Sequence, residues 1–144
     1  MPALLVVGLG NPGPRFDGTR HNVGFAVVEA LAERLQLRLR KQLFARYRAT
    51  RIERRKDGLA LAEPLTYMNN SGQVFPSLLR RFRVTSEELL VVCDNLDLPP
   101  GRVRLKRGGG TAGHNGLSSI VKALGHGDFM RLYVGVGRPE SGGV

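Results

Sequence analysis

Cysteine is nearly absent: Cys93 stands alone among 144 residues, so no internal disulfide can form, and a reducing, cytoplasmic setting is expected. One cysteine and three histidines without paired spacing give no zinc pattern, and no metal is expected. Tryptophan is missing. No apolar run approaches the ~20 residues of a membrane span, and the N-terminus lacks the charged start, apolar stretch and cleavage site of a signal peptide. These absences argue against a disulfide scaffold, a zinc module and a membrane protein. Acidic residues are also scarce, 12 against 22 Lys plus Arg, for a net charge of +10 and a pI near 11.0. Such an imbalance favours a polyanionic partner through counterion release; the alternative is a merely solvated basic surface. With 42% hydrophobic residues, the chain has the composition and length of one soluble domain with its own core.

Hydrophobic periodicity sets the organisation. Ala3 to Val7 reads as a buried strand that stops at Gly8, and Gly8 to Arg20 is loop. Phe25, Val28, Leu31, Ala32 and Leu35 recur at helical spacing, with Asn22 available as a cap. Leu43 to Ile52 and Leu59 to Ala62 predict two strands around an Asp57-Gly58 turn. Ser71 to Phe82 predicts a helix, with Pro76 either in its first turn or two or kinking it. Leu89 to Cys93 predicts a buried strand that delivers Asp94 at its end. Arg102 to Lys106 alternates like a half-exposed strand, Asn115 to Leu124 predicts a third helix, and Met130 to Val136 a last strand. Strands alternating with helices, with no repeat or linker, predict an α/β fold: a single-domain mixed twisted sheet flanked by helices, in three layers.

Two glycine-rich loops carry familiar spacings. Gly8-Leu9-Gly10-Asn11-Pro12-Gly13 matches the dinucleotide fingerprint, but prolines follow and helical periodicity starts only after Arg20. No helix N-terminus would face a pyrophosphate, which disfavours dinucleotide binding. Gly108-Gly109-Gly110-Thr111-Ala112-Gly113 lacks the Lys-Ser/Thr ending of a P-loop; its amides suit a single phosphate or shape a cleft, and a plain turn is the alternative.

The polar residues at strand ends say more, because ligands of α/β sheets gather beyond the C-terminal strand ends. Asn11 follows the first strand and Asp94 the Leu89–Cys93 strand. His21, Asn69 and Asn115 stand at loop-to-helix junctions. Singly, such asparagines are usually caps and a lone histidine is usually structural. Together they offer one imidazole, one carboxylate and three amides at one rim. An imidazole can accept a proton near neutral pH, a carboxylate on its other nitrogen fixes the tautomer, and amides can hold an oxyanion. There is no Gly-x-Ser-x-Gly, and Cys93 sits inside an apolar strand, so direct attack by water is the simplest mechanism.

Four segments, Val7–Gly13 (VGLGNPG), Thr19–Phe25 (TRHNVGF), Tyr67–Gly72 (YMNNSG) and Gly108–Gly116 (GGGTAGHNG), resemble the bacterial-type peptidyl-tRNA hydrolases. Asp94–Gly101 and Val134–Pro139 match too, so the likeness runs in order along essentially the whole chain. The resemblance implies cleavage of the ester joining a peptide to the 3′-terminal ribose of tRNA, without cofactor or metal, by a cytoplasmic monomer. It implies His21 as general base activating water and Asp94 as the group orienting it. Asn11, Phe16, Met68, Asn69 and Asn115 would bind substrate, and Arg104, Lys106 and His114 would contact tRNA.

The chain departs from the family's pattern at Phe16, where a Tyr is common, at Asn95, where an acid is usual, and at Tyr133, often basic in relatives. Relatives also continue beyond the position of Val144 into a lid and a C-terminal helix, which this chain is expected to lack. Two rivals stand beside the hydrolase: an RNA-binding relative without turnover, and an esterase for small substrates. Phosphate binding alone requires neither His21 nor Asp94, and a net charge of +10 suits a small neutral ester poorly.

Overall fold

The structure, a computed structural model, describes residues 2–52 and 58–138. Seven strands form one sheet in the order β2-β3-β4-β1-β5-β7-β6. They are β1 (Pro2–Gly8), β2 (Arg40–Lys41), β3 (Tyr47–Ile52), β4 (Gly58–Pro64), β5 (Leu89–Asn95), β6 (Val103–Arg107) and β7 (Met130–Gly135). The centre, β4-β1-β5-β7, is parallel, while β2, β3 and β6 run antiparallel to their neighbours at the two margins. The expected mixed α/β sheet is what the chain forms.

Three α-helices cover the sheet: α1 (Val23–Arg34), α2 (Phe75–Phe82) and α3 (Asn115–Leu124). Val28 and Ala32 of α1 pack on Val6, Leu61 and Val92 on one face. Phe75, Leu78 and Phe82 of α2 and Leu117 and Ile120 of α3 pack on Leu5, Val7, Ala60, Val91 and Cys93 on the other. Residues of β1, β4 and β5 alternate between the two cores, which is why these strands read as continuous apolar runs. No described helix is long and apolar enough to cross a membrane.

Glycine sets how closely two of the helices approach. A Cβ on Gly8 would lie 2.2 Å from the Gly24 carbonyl oxygen, so α1 can rest on the end of β1 only with no side chain there. A Cβ on Gly72 would lie 2.1 Å from the Ser119 carbonyl, and the Gly72 N–H instead donates to Ser119 Oγ at 2.8 Å. That contact presses the 3-10 segment Met68–Val74 against α3.

Several expectations need correction. The strand expected from Leu43 starts at Tyr47, because Gln42 to Arg46 make a tight turn in which Phe44 takes φ +58° and is almost fully exposed. The helix expected from Ser71 is 3-10 up to Val74 and becomes α-helical at Phe75, with Pro76 in the first turn. The strand Val103–Arg107 is exposed along its whole length, not on alternate residues, since it is an edge with little covering either face. Asn22 occupies the N-cap position of α1 without capping it. The expected turn at Asp57 falls outside the described residues.

Candidate active site

The C-terminal ends of β1 and β5 open onto a cavity of about 260 Å³. Asn11, His21, Met68, Asp94, His114 and Asn115 line it, with Asn95 to Asp97, Thr111 to Gly113, Tyr133 and Arg138 around them. Six of the ten expected site residues therefore meet in one place. Phe16 and Asn69 lie outside the lining; the Phe16 ring meets Tyr67 edge-on, with centroids 6.3 Å apart. Arg104 and Lys106 stand on the exposed edge strand β6, in register with Tyr133 and Arg131 of β7. Lys106 reaches over the glycine loop: a Cβ on Gly109 would lie 2.9 Å from its Nζ.

Asp94 is the hub. Its side chain is 2% exposed, and it accepts two hydrogen bonds from imidazoles. His21 Nδ1 lies 2.6 Å from Oδ2 and His114 Nε2 lies 2.8 Å from Oδ1. Burial by itself pushes the carboxyl's pKa up. The bonds and charges of His114 and His21 outweigh that and hold it below its ordinary 3.8. Asp94 is therefore a carboxylate at neutral pH. His21 Nδ1 donates to Asp94 in that bond, which leaves Nε2 without a partner on a ring that is 59% exposed at the cavity wall.

Asn11 is fixed just as firmly. Its Oδ1 accepts from the Met68 N–H at 2.6 Å, which orients the amide and turns Nδ2 into a free donor. Its own peptide is clamped by buried Asn22: the Asn11 N–H donates to Asn22 Oδ1, and Asn22 Nδ2 donates to the Asn11 carbonyl, each at 2.8 Å. Sequence reading cast Asn22 as a helix cap and missed this clamp. Its adjacency to His21 was the only available signal.

Arg131 was missed as well. It is fully buried on β7, and its guanidinium donates to the carbonyls of Gly109 at 2.9 Å, Gly127 at 2.8 Å and Gly110, with the Phe129 ring beneath it. The glycine loop thus shapes the cleft with its carbonyls drawn inward around a cation. Asn95 caps the next turn by accepting from the Asp97 N–H at 2.8 Å. Tyr133 is buried with its hydroxyl 3.4 Å from Arg131 Nη1.

Other chemistries find less support. Cys93 is buried, and burial first, then the adjacent Asp94 charge, push its thiol up to about 12, so it is no nucleophile at neutral pH. Among the described residues no three His, Cys, Asp or Glu gather as metal ligands.

Fold and site together define an α/β protein with a histidine–carboxylate pair at the C-terminal strand ends, facing an open cavity. The family model "Peptidyl-tRNA hydrolase" matches residues 5–144. The chain is 47% identical to the peptidyl-tRNA hydrolase of Shouchella clausii over 139 residues, covering 96% of this chain and 74% of that one. It is 46% identical to that of Syntrophomonas wolfei, over 97% and 76% of the two chains. The crystal structure of the Acinetobacter baumannii peptidyl-tRNA hydrolase superposes with a TM-score of 0.89 at 40% identity, over 98% of this chain and 72% of that one. The chain belongs to the peptidyl-tRNA hydrolase family.

Proposed function

We propose that this protein hydrolyses the ester between a peptide, or an N-blocked aminoacyl group, and the 3′-terminal ribose of tRNA. The observation that carries the reading is the 2.6 Å contact of His21 Nδ1 with Asp94, which leaves Nε2 free at the cavity wall. His21 Nε2 takes a proton from water as the oxygen attacks the ester carbonyl. The imidazolium, stabilised by Asp94, returns that proton to the departing ribose 3′-oxygen as the ester bond breaks. General-base assistance of this kind is worth about 10²–10⁴-fold. It suffices for an ester, and no covalent intermediate is required.

Asn11 Nδ2, held as a donor by Met68, suits a peptide carbonyl next to the scissile bond. A free aminoacyl-tRNA would bring an ammonium there instead, and an unpaired cation against a donor is costly. Met68 and Asn115 line the remaining walls, while Phe16 and Asn69 bind farther along the substrate. Arg104 and Lys106 on the exposed edge take tRNA phosphate, in keeping with the net charge of +10. A tRNA substrate supports action in the cytoplasm.

The test is release of N-acetylated amino acid from tRNA by the wild type and by His21→Ala. Turnover should fall by about 10³-fold or more in the variant while tRNA affinity stays within about twofold. Removing Lys106 should flatten the salt dependence of kcat/KM by about one phosphate contact. Full turnover by His21→Ala would overturn the reading, and tRNA binding without turnover by the wild type would favour a purely RNA-binding protein.

A further inference from the structure

Asp94 needs only one imidazole to orient a general base, yet it holds two, and the second is the more tightly fixed. The His114 side chain is 13% exposed, against 59% for His21. Its Nδ1 lies 3.1 Å from the Gly116 nitrogen and 3.2 Å from the Leu117 nitrogen, both backbone donors in the first turn of α3. A peptide N–H can only donate, so Nδ1 must present a lone pair. The ring proton therefore sits on Nε2, where it donates to Asp94 Oδ1 at 2.8 Å. A proton on Nδ1 would point at two donors and at the positive end of a ten-residue helix. The helix thus fixes the tautomer, and the tautomer makes the ring a permanent donor to Asp94.

The topology gives this bond a mechanical consequence. His21 enters from the loop before α1 on one face of the sheet, and His114 from the start of α3 on the other. Asp94 lies between them near the end of β5, one oxygen for each ring. We propose that His114 is a positioning residue for hydrolysis: it ties Asp94 to the start of α3, so that the other carboxylate oxygen is held in line with His21 Nδ1. The same anchor sets Asn115, the first residue of α3, at the cavity wall. This differs from the tRNA contact implied for His114 by resemblance. With both nitrogens engaged inside the protein, the ring has no donor or acceptor left for phosphate. The inference rests on the general-base reading of His21 and deepens it.

Two substitutions separate the jobs of the ring. His114→Asn keeps an acceptor at the position of Nδ1, where asparagine is a good cap, but is too short to donate to Asp94. His114→Gln can bring an amide donor to Asp94 but does not cap α3 well. The expected result for His114→Asn is a melting temperature within about 2 °C of wild type, KM for N-acetyl-aminoacyl-tRNA within about twofold, and kcat down about 10–100-fold. His114→Gln should melt about 3 °C lower and keep kcat within about threefold. Wild-type kcat in His114→Asn would overturn the proposal, as would two variants that raise KM and leave kcat alone, the signature of a tRNA contact. Imidazole ¹⁵N spectra give a readout free of activity: His114 should be the Nε2–H tautomer in both the wild type and His21→Ala. An Nδ1–H form would overturn the proposal whatever the kinetics. Turnover retained by His21→Ala would instead overturn the general-base reading and leave the tautomer result standing, so the two failures are distinguishable.

Discussion

Two carboxyl groups are buried in this sheet, two strands apart, and they have opposite fates. Asp94 near the end of β5 is 2% exposed at its side chain, and Glu63 near the end of β4 is 1% exposed. Burial alone pushes both towards the protonated form. Asp94 meets two imidazole donors at 2.6 and 2.8 Å and stays below the ordinary carboxylate value. Glu63 meets one long donor contact, 3.4 Å from Arg48, and has the Glu29 carboxyl within hydrogen-bonding reach beside it. Burial first, then Glu29, push it up to about 8 against the pull of Arg48. Donors, not depth, decide which buried carboxyl carries a charge. The charged one belongs to the site, and the other borders an open groove beside α1.

Replacing the charged member has the largest expected effect. In Asp94→Asn the amide offers one acceptor and one donor, so one of the two imidazoles loses its acceptor. The kcat for N-acetyl-aminoacyl-tRNA should fall by about 10²–10⁴-fold, as expected when an imidazole is released from its tautomer. Because Asp94 is held below 3.8, its contribution to folding is complete above that pH and is lost as the pH falls through the lowered value. Acid unfolding of the wild type should therefore steepen below pH 3.8, and the steepening should weaken in Asp94→Asn.

Glu63 should do the reverse. Its folded value of about 8 lies above the ordinary 4.5, so between those limits the folded chain binds more protons than the unfolded one. Stability from this group is complete below about pH 4.5 and declines as the pH rises towards 8. Glu63→Gln should flatten that decline and stabilise the protein at pH 8 by about 3 kcal/mol in urea titrations, with hydrolysis unchanged. A wild type whose stability is level from pH 5 to 8 would break the comparison. The smallest effect belongs to Arg48→Met. Its contact with Glu63 is long and the arginine half-exposed, so the loss at pH 8 should stay below about 1 kcal/mol.

The sequence made much of this legible, and the limits have physical causes. Alternation of apolar runs with amphipathic stretches located all three helices and the parallel strands, because each buries a face wide enough to leave a period. The rule that ligands gather at C-terminal strand ends places Asn11, His21 and Asp94 at one rim from the sequence alone. Short edge elements left no such trace: Arg40–Lys41 pairs with β3 through backbone atoms alone, and both residues are exposed. Nor could pattern distinguish Arg131 from any cation on a strand, since its partners are carbonyl oxygens of glycines that carry no side-chain signature. Asn22 and His114 stand where caps belong. In the folded protein one clamps Asn11, and the other caps α3 and holds Asp94 at once.

The central claim is that Asp94 acts on the ester only through His21. A double-mutant cycle on single-turnover hydrolysis of N-acetyl-aminoacyl-tRNA, using His21→Ala, Asp94→Asn and the two combined, tests it most directly. Groups that work as one unit are strongly non-additive. The double variant should be no slower than His21→Ala alone, to within about threefold. If the two losses multiplied, Asp94 would be acting on the substrate independently of the imidazole, and the account would be wrong.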